Sequence, residues 1–269
     1  MPASTLSKEQ TPIVPTTVSV MHRRPRYSAL VATLLILPAL SDAQTLVGRS
    51  DSIYTWRGAM AASALLTIRN FNGPIDVRPA EGGTAEVRAE KRTSRGGGAI
   101  EDVAFEVQKG GSGDVTICAT LRNSNLCDDR GYHGDGGDRG NGRRNVTVAM
   151  TVFLPRGARL KVATGNGAVS VERVGGDVQA STGNGPVRVD GTDGSVRVST
   201  GSGSVRVTLP AGYNGDLDAS TGNGELRSDF DLKIQGRMNP RHIRATIGEG
   251  GPKLRLTTGN GRLEVLKGR

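Results

Sequence analysis

The sequence predicts an all-β fold whose C-terminal half is a β-solenoid, a parallel β-helix-like stack with about 18 residues per coil. Three observations predict it. A G-x-V-x-V phrase returns every nine residues through GPVRVDGTDGSVRVSTGSGSVRV at 185–207. The phrase T-G-[NS]-G begins at Thr164, Thr182 and Thr200 and recurs at Thr221 and Thr258, with a different turn, Val174-Gly175-Gly176 or Thr192-Asp193-Gly194, between the early copies. Aromatic residues are only 3% of the chain, and its 39 glycines fall between short apolar strands rather than in one tract.

Taken in chain order, MHRRPRYSALVATLLILPALSDAQ at 21–44 has the three parts of a secretory signal. Arg23, Arg24 and Arg26 precede an apolar run from Ala29 to Leu37, and Ser41-Asp42-Ala43 supplies small residues before a cut at Gln44. That run is shorter than the ~20 apolar residues a membrane-spanning helix takes, so no span is expected after cleavage. A signal normally begins the chain, so residues 1–20 are read as an extension outside the fold and Met21 as the start. Cleavage removes four cations and two anions and leaves 31 against 24, a net charge of +7.

Residues 44–61 form a lead segment containing the only tryptophan, Trp56. One β-strand-repeat domain is expected over 62–269. Its first half reads as alternating strands at 64–70, 74–80, 84–92, 103–109, 114–121 and 145–155, separated by turn signals such as Asn72-Gly73 and Gly82-Gly83. In DVTICATL, Val115, Ile117, Ala119 and Leu121 share one face and Cys118 points to the other. An oxidising compartment favours a disulfide between Cys118 and Cys127, worth roughly 2–3 kcal/mol for so short a loop.

Residues 123–144, NSNLCDDRGYHGDGGDRGNGRR, are nearly devoid of apolar side chains and predict a disordered surface loop. Asp128, Asp129, Asp135 and Asp138 suggest calcium, but their spacing matches no EF-hand, and Arg130, Arg139, Arg143 and Arg144 would repel a cation. Zinc would need more ligands than Cys118, Cys127 and His133 supply.

In the repeat, two alternating turn types make the true unit eighteen residues: strand, turn, strand, other turn. One unit cannot bury its own apolar face, whereas stacked copies can. Alternation points Val187, Val189, Val196, Val198, Val205 and Val207 inward and Arg188, Arg197 and Arg206 outward. Asn166, Asn184, Asn223 and Asn260, each between glycines, are expected where positive φ is tolerated. In register, one outer face would carry Ser170, Arg188, Arg206 and Arg227, and the other Gln179, Arg197 and Asp218. Coils about 4.8 Å apart would stack Arg188, Arg206 and Arg227 in a column, a candidate polyanion-binding stripe set against an ordinary solvated face. TLPAGYNG at 208–215 adds three residues to one coil, and the step from Thr221 to Thr258 widens to thirty-seven. RLEVLKGR is expected to close the stack. Calcium-binding β-roll repeats carry Asp two positions after their last glycine, where this chain has Val187, Val196 and Val205, so neither metal nor cofactor is expected.

Together the phrases LTIRNFNGPIDVRPAEGGTAEVRAEKR, DVTICATL, LPRGARLKVATGNGAVSVERVGGDVQASTGNGPVRV and GEGGPKLRLTTGNGRLEVLK resemble the bacterial putative-adhesin family, exported β-strand-repeat domains whose function is not established. The likeness covers roughly residues 62–269. It implies an exported, β-helix-like fold, located in the periplasm, on the cell surface or secreted, and it brings no catalytic residues.

Three functions fit. The first is a non-enzymatic envelope protein with an adhesion, scaffold or binding surface, whose partner is an anionic envelope polysaccharide or another envelope protein. The second is a polysaccharide-active enzyme on a β-helix, which would need two carboxylates held about 5–9.5 Å apart; the repeat's outward positions offer only Asp218. The third is an envelope-stress sensing or interaction module. His133 and His242, the histidines of the mature chain, read as surface residues with no obvious orienting acid. Nucleic acid suits the charge but conflicts with export and with the lack of aromatics for stacking.

Overall fold

Alternation of apolar and polar residues gives most strands one face to bury, and the structure buries those faces between two sheets. The computed structural model describes residues 45–47 as backbone, then 50–93, 99–121, 127, 146–236, 239 and 241–268. The expected extension, the signal and, Cys127 apart, the Asp-rich loop with His133 lie outside the described residues.

The lead segment and first half contribute β1 (Thr45–Val47), β2 (Ile53–Ala59), β3 (Leu65–Asn70), β4 (Ile75–Pro79), β5 (Thr84–Thr93), β6 (Val103–Lys109), β7 (Val115–Leu121) and β8 (Val146–Leu154). The regular repeat contributes β9 (Arg159–Asn166), β10 (Val169–Glu172), β11 (Val178–Asn184), β12 (Val187–Asp190), β13 (Val196–Ser202) and β14 (Val205–Leu209). The chain ends with β15 (Gly215–Asn223), β16 (Leu226–Ser228), β17 (Leu232–Ile234), β18 (His242–Ile247), β19 (Lys253–Asn260) and β20 (Leu263–Lys267). Sheet I runs β1-β6-β7-β3-β9-β11-β13-β19-β15-β18-β17, and sheet II runs β16-β20-β14-β12-β10-β4-β8-β5-β2. The protein is thus an all-β solenoid, each coil giving one strand to each sheet.

Through the centre the register is the expected one. Leu160, Val178 and Val196 stack in sheet I, and Val169, Val187 and Val205 in sheet II, all parallel and each one 18-residue unit apart. Val187, Val189, Val196, Val198, Val205 and Val207, expected to face inward, are at most 1% exposed. Coil β3/β4 continues this stack, pairing in parallel with β9 and β10.

The turn phrase has a division of labour. Threonine points inward, and its hydroxyl donates to the carbonyl of a glycine one coil away: Thr182 to Gly167, Thr200 to Gly185, Thr258 to Gly203, at 2.9–3.0 Å. The first glycine leaves room, since a Cβ on Gly201 would sit 2.6 Å from the Gly183 carbonyl oxygen. The second glycine, not the asparagine before it, takes the positive φ: +146° at Gly185, +156° at Gly203 and +153° at Gly261. Asparagine instead forms side-chain ladders, Asn184 Nδ2 donating to Asn166 Oδ1 at 2.9 Å and Asn223 Nδ2 to Asn260 Oδ1 at 2.8 Å.

RLEVLKGR does not close the stack. β19 lies between β13 and β15, and β20 between β14 and β16. The cause is the longer connection: Val189 to Val196 takes seven residues, whereas Val207 to Leu217 takes ten, enough to pass one rung and leave a slot. The final strands fill that slot and hydrogen-bond on both sides, which satisfies two strand edges at once. Beyond β15, β18 and β17 extend sheet I in antiparallel fashion.

At the other end, β7 and β8 form a parallel coil beside β3 and β4, and the chain reverses in β5 and β6, which pair antiparallel to β8 and β7. The lead segment supplies outer strands β1 and β2. Here aromatics join valine in the core, with the Tyr54 and Phe105 rings stacked at 4.4 Å between centroids. Cys118 and Cys127 are joined in a disulfide. Cys127 is held further by the Glu106 carboxylate, which accepts its N–H at 3.3 Å, and by Gln108 Nε2, which donates to its carbonyl at 2.6 Å.

Candidate binding face

The inserted C-terminal coil changes both outer faces. On sheet II, Arg188 and Arg206 are neighbours as expected, but the next position is Glu264, and Arg227 stands one rung further on. The expected column of three arginines is therefore interrupted. Arg206 Nη2 meets Glu264 Oε2 at 2.7 Å, Arg227 Nη2 meets Glu225 Oε2 at 3.2 Å, and Arg262 lies 3.7–3.8 Å from both carboxylates. Arg206, Arg227 and Arg262 thus each have a carboxylate within 4 Å, whereas Arg188 at the end of the expected column has no ion pair among the described residues.

On sheet I the same insertion does the opposite. The outer row reads Lys161, Gln179, Arg197, Arg255, Asp218, Arg244, with Arg255 set between Arg197 and Asp218. A trough of about 620 Å³ crosses this face from β3 to β18, and Arg159, Lys161, Arg197, Arg244, Lys253 and Arg255 line it against Asp177, Asp216 and Asp218. Its carboxylates are engaged: Asp177 Oδ1 accepts the Ser195 N–H at 2.9 Å, and Asp216 Oδ1 accepts the Thr246 hydroxyl at 3.3 Å. Asp218 Oδ1 lies 2.8 Å from His242 Nε2, with Arg244 Nε 3.9 Å from its other oxygen. Arg159 Nε donates to the Ser63 carbonyl at 2.7 Å. The side chains of Arg197, Lys253 and Arg255, by contrast, are exposed and make no hydrogen bond or ion pair among the described residues.

His242 departs from the expectation of a histidine without an orienting acid. Asp218 provides one, and Ser220 sits opposite His242 across β15 and β18. The Ser220 hydroxyl donates to Thr257 Oγ1 at 3.4 Å, so the hydroxyl-to-imidazole contact that a nucleophile would use is not made. The pair instead ties β18 to β15.

Arginine at an outward repeat position was visible in the sequence. What sequence reasoning missed was Arg255 and Lys253 as neighbours of Arg197, because that adjacency depends on the order of coils. Among the described residues no three His, Cys, Asp or Glu side chains gather as metal ligands, and no helix is long and apolar enough to cross a membrane.

Residues 156–266 match the family model described as Toastrack DUF4097. Among solved structures, a "putative cell adhesion protein" from Clostridium sporogenes is similar over 80% of this chain and 100% of its own, with a TM-score of 0.54 at 11% identity, a likeness of fold. A "putative adhesin" from Bacteroides fragilis aligns over 81% of this chain and 98% of its own at 9% identity, with a TM-score of 0.23 that is too low to carry a fold comparison. Among curated proteins no sequence matches. The resemblance to the putative-adhesin family thus has a counterpart in both family model and fold.

Proposed function

We propose, starting from a Toastrack DUF4097 domain at 156–266, that this chain is an exported, non-enzymatic β-solenoid that binds a component of the cell envelope through the outer face of sheet I. The observation that carries the reading is the trough, where six cations face three already engaged carboxylates. A rigid stack of parallel strands holds those side chains at fixed spacing, which is what recognition of an extended partner requires. The secretory-type N-terminus and the name of the Clostridium protein support an envelope setting.

The test is saturable binding of the purified protein to isolated bacterial envelopes, with reducing ends assayed in the supernatant. Binding without release of reducing ends is expected. Absence of binding would overturn the proposal, and release of reducing ends would favour a polysaccharide-active enzyme.

A further inference from the structure

We propose that the trough on sheet I is a track for a linear, carboxylate-bearing polysaccharide, a polyuronate-like chain lying along the stacking axis; this rests on the binding face proposed above and names its ligand class. Arg197 and Arg255 stand directly opposite each other on adjacent strands β13 and β19, and Lys253 projects two residues before Arg255 on the same face. Like charges in cross-strand register repel. On sheet II a carboxylate from the inserted coil relieves that repulsion, and Arg206 meets Glu264 at 2.7 Å. On sheet I Asp218 stands opposite Arg255 and Asp216 opposite Lys253, but those carboxylates are engaged by His242 and Thr246, and nothing stands between Arg197 and Arg255. An external anion lying over Arg197 and Arg255 would relieve that repulsion.

The surroundings narrow the anion. Two residues along the strands from the cations, Ser199 and Thr257 stand opposite each other on the same outer face, so hydroxyl donors and acceptors run beside the charges. That pattern suits a chain carrying both carboxylates and hydroxyls. Rungs about 4.8 Å apart repeat on the scale of one sugar residue. No aromatic side chain lines the trough. Stacking, on which neutral glycans and single-stranded nucleic acids depend, is therefore missing, and affinity falls to charge and hydrogen bonding.

The experiment uses the full chain and polygalacturonate as probe at two ionic strengths. Arg197→Gln/Lys253→Gln/Arg255→Gln should weaken binding at least tenfold and flatten its salt dependence. Arg188→Gln/Arg206→Gln/Arg227→Gln removes the same charge from sheet II and should stay within twofold of the parent. Unchanged melting of both triple variants by circular dichroism establishes that the fold is intact. Equal loss in both variants would overturn the proposal, since net charge alone would then explain binding. Equal affinity for dextran, or tighter binding of poly-glutamate, would also overturn it; if either were lost in the sheet I variant, the binding face itself would stand. Failure to bind isolated envelopes as well would remove both.

Discussion

The central coils, from Arg159 to Leu209, and the C-terminal coils, from Gly215 to Lys267, are written in the same phrase yet stack by different rules. In the centre, chain order and spatial order coincide, and every rung is displaced by eighteen residues. At the C-terminus the last coil enters between its predecessors, so Val196 meets Leu254 and Leu254 meets Leu217. The phrase therefore determines how one coil is made, and the length of the connection determines where the coil goes. A solenoid that simply ended would fray from its last rung. This one places its last strands inside the stack, and the electrostatic difference between its two outer faces follows from that placement.

The sharpest way to break this comparison is a buried charge on each side of it. Val207 and Val265 are both fully buried and are direct neighbours across β14 and β20. Val207→Asp and Val265→Asp should each cost on the order of 4 kcal/mol or more, because neither carboxylate would find a partner. Thermal melting measures this. If Val265→Asp melted like the parent while Val207→Asp unfolded, the last coil would be peripheral and the inserted order wrong.

Most of the coil was legible. Valine alternation fixed which side chains face in, and the alternation of two turns fixed the eighteen-residue rung. The order of coils was not legible, because strand pairing has no local signature: Leu254 is as suitable a neighbour for Val196 as Leu217 is. The three extra residues near Tyr213 were the available hint, and they fit a widened turn as well as a skipped rung. The column of Arg188, Arg206 and Arg227 failed for that reason alone, since Glu264 enters it from fifty-eight residues beyond Arg206. The reversed strands at the N-terminal end were equally hidden, because β5 and β6 alternate in the same way whichever direction they run. Threonine's inward hydroxyl bond was readable in principle from its placement before the glycine.

Glycine substitution separates close approach from backbone conformation. Gly203 and Gly261 have positive φ, and a Cβ on either would strike the carbonyl of the equivalent glycine one coil away, Gly185 and Gly203 respectively. Gly82 also has positive φ, +88°, but open space around it. Gly203→Ala and Gly261→Ala should lose about 3 kcal/mol and Gly82→Ala about 1 kcal/mol by denaturant unfolding. Similar losses at all three would mean that the turns are not stacked.

The disulfide bears on the N-terminal end alone. Replacing Cys118 and Cys127 with serine should cost about 2–3 kcal/mol. Amide exchange should accelerate in β6 and β7 while β11 to β14 stay protected. Uniform acceleration would mean that the irregular end and the regular stack unfold as one unit.

The smallest effect lies where the irregular end joins the regular stack. Asp114, just before β7, accepts the Leu65 N–H at 2.8 Å and so fastens the start of β3. That backbone donor, helped by the Ser112 side chain and the charge of Arg159, holds the carboxyl below its usual range against the opposing effect of burial. A carboxyl whose pKa is lowered on folding contributes stability above its unfolded value, about 3.9, and that contribution is lost as pH falls through the lower folded value. Asp114→Asn should therefore melt lower than the parent at neutral pH by roughly 1 kcal/mol, since the group is partly exposed and screened. The gap should close as the parent is acidified below about pH 4. A gap constant down to pH 2 would show that the Leu65 bond does not depend on the carboxylate charge, and no gap at any pH would show that β3 is held to β7 by strand pairing alone.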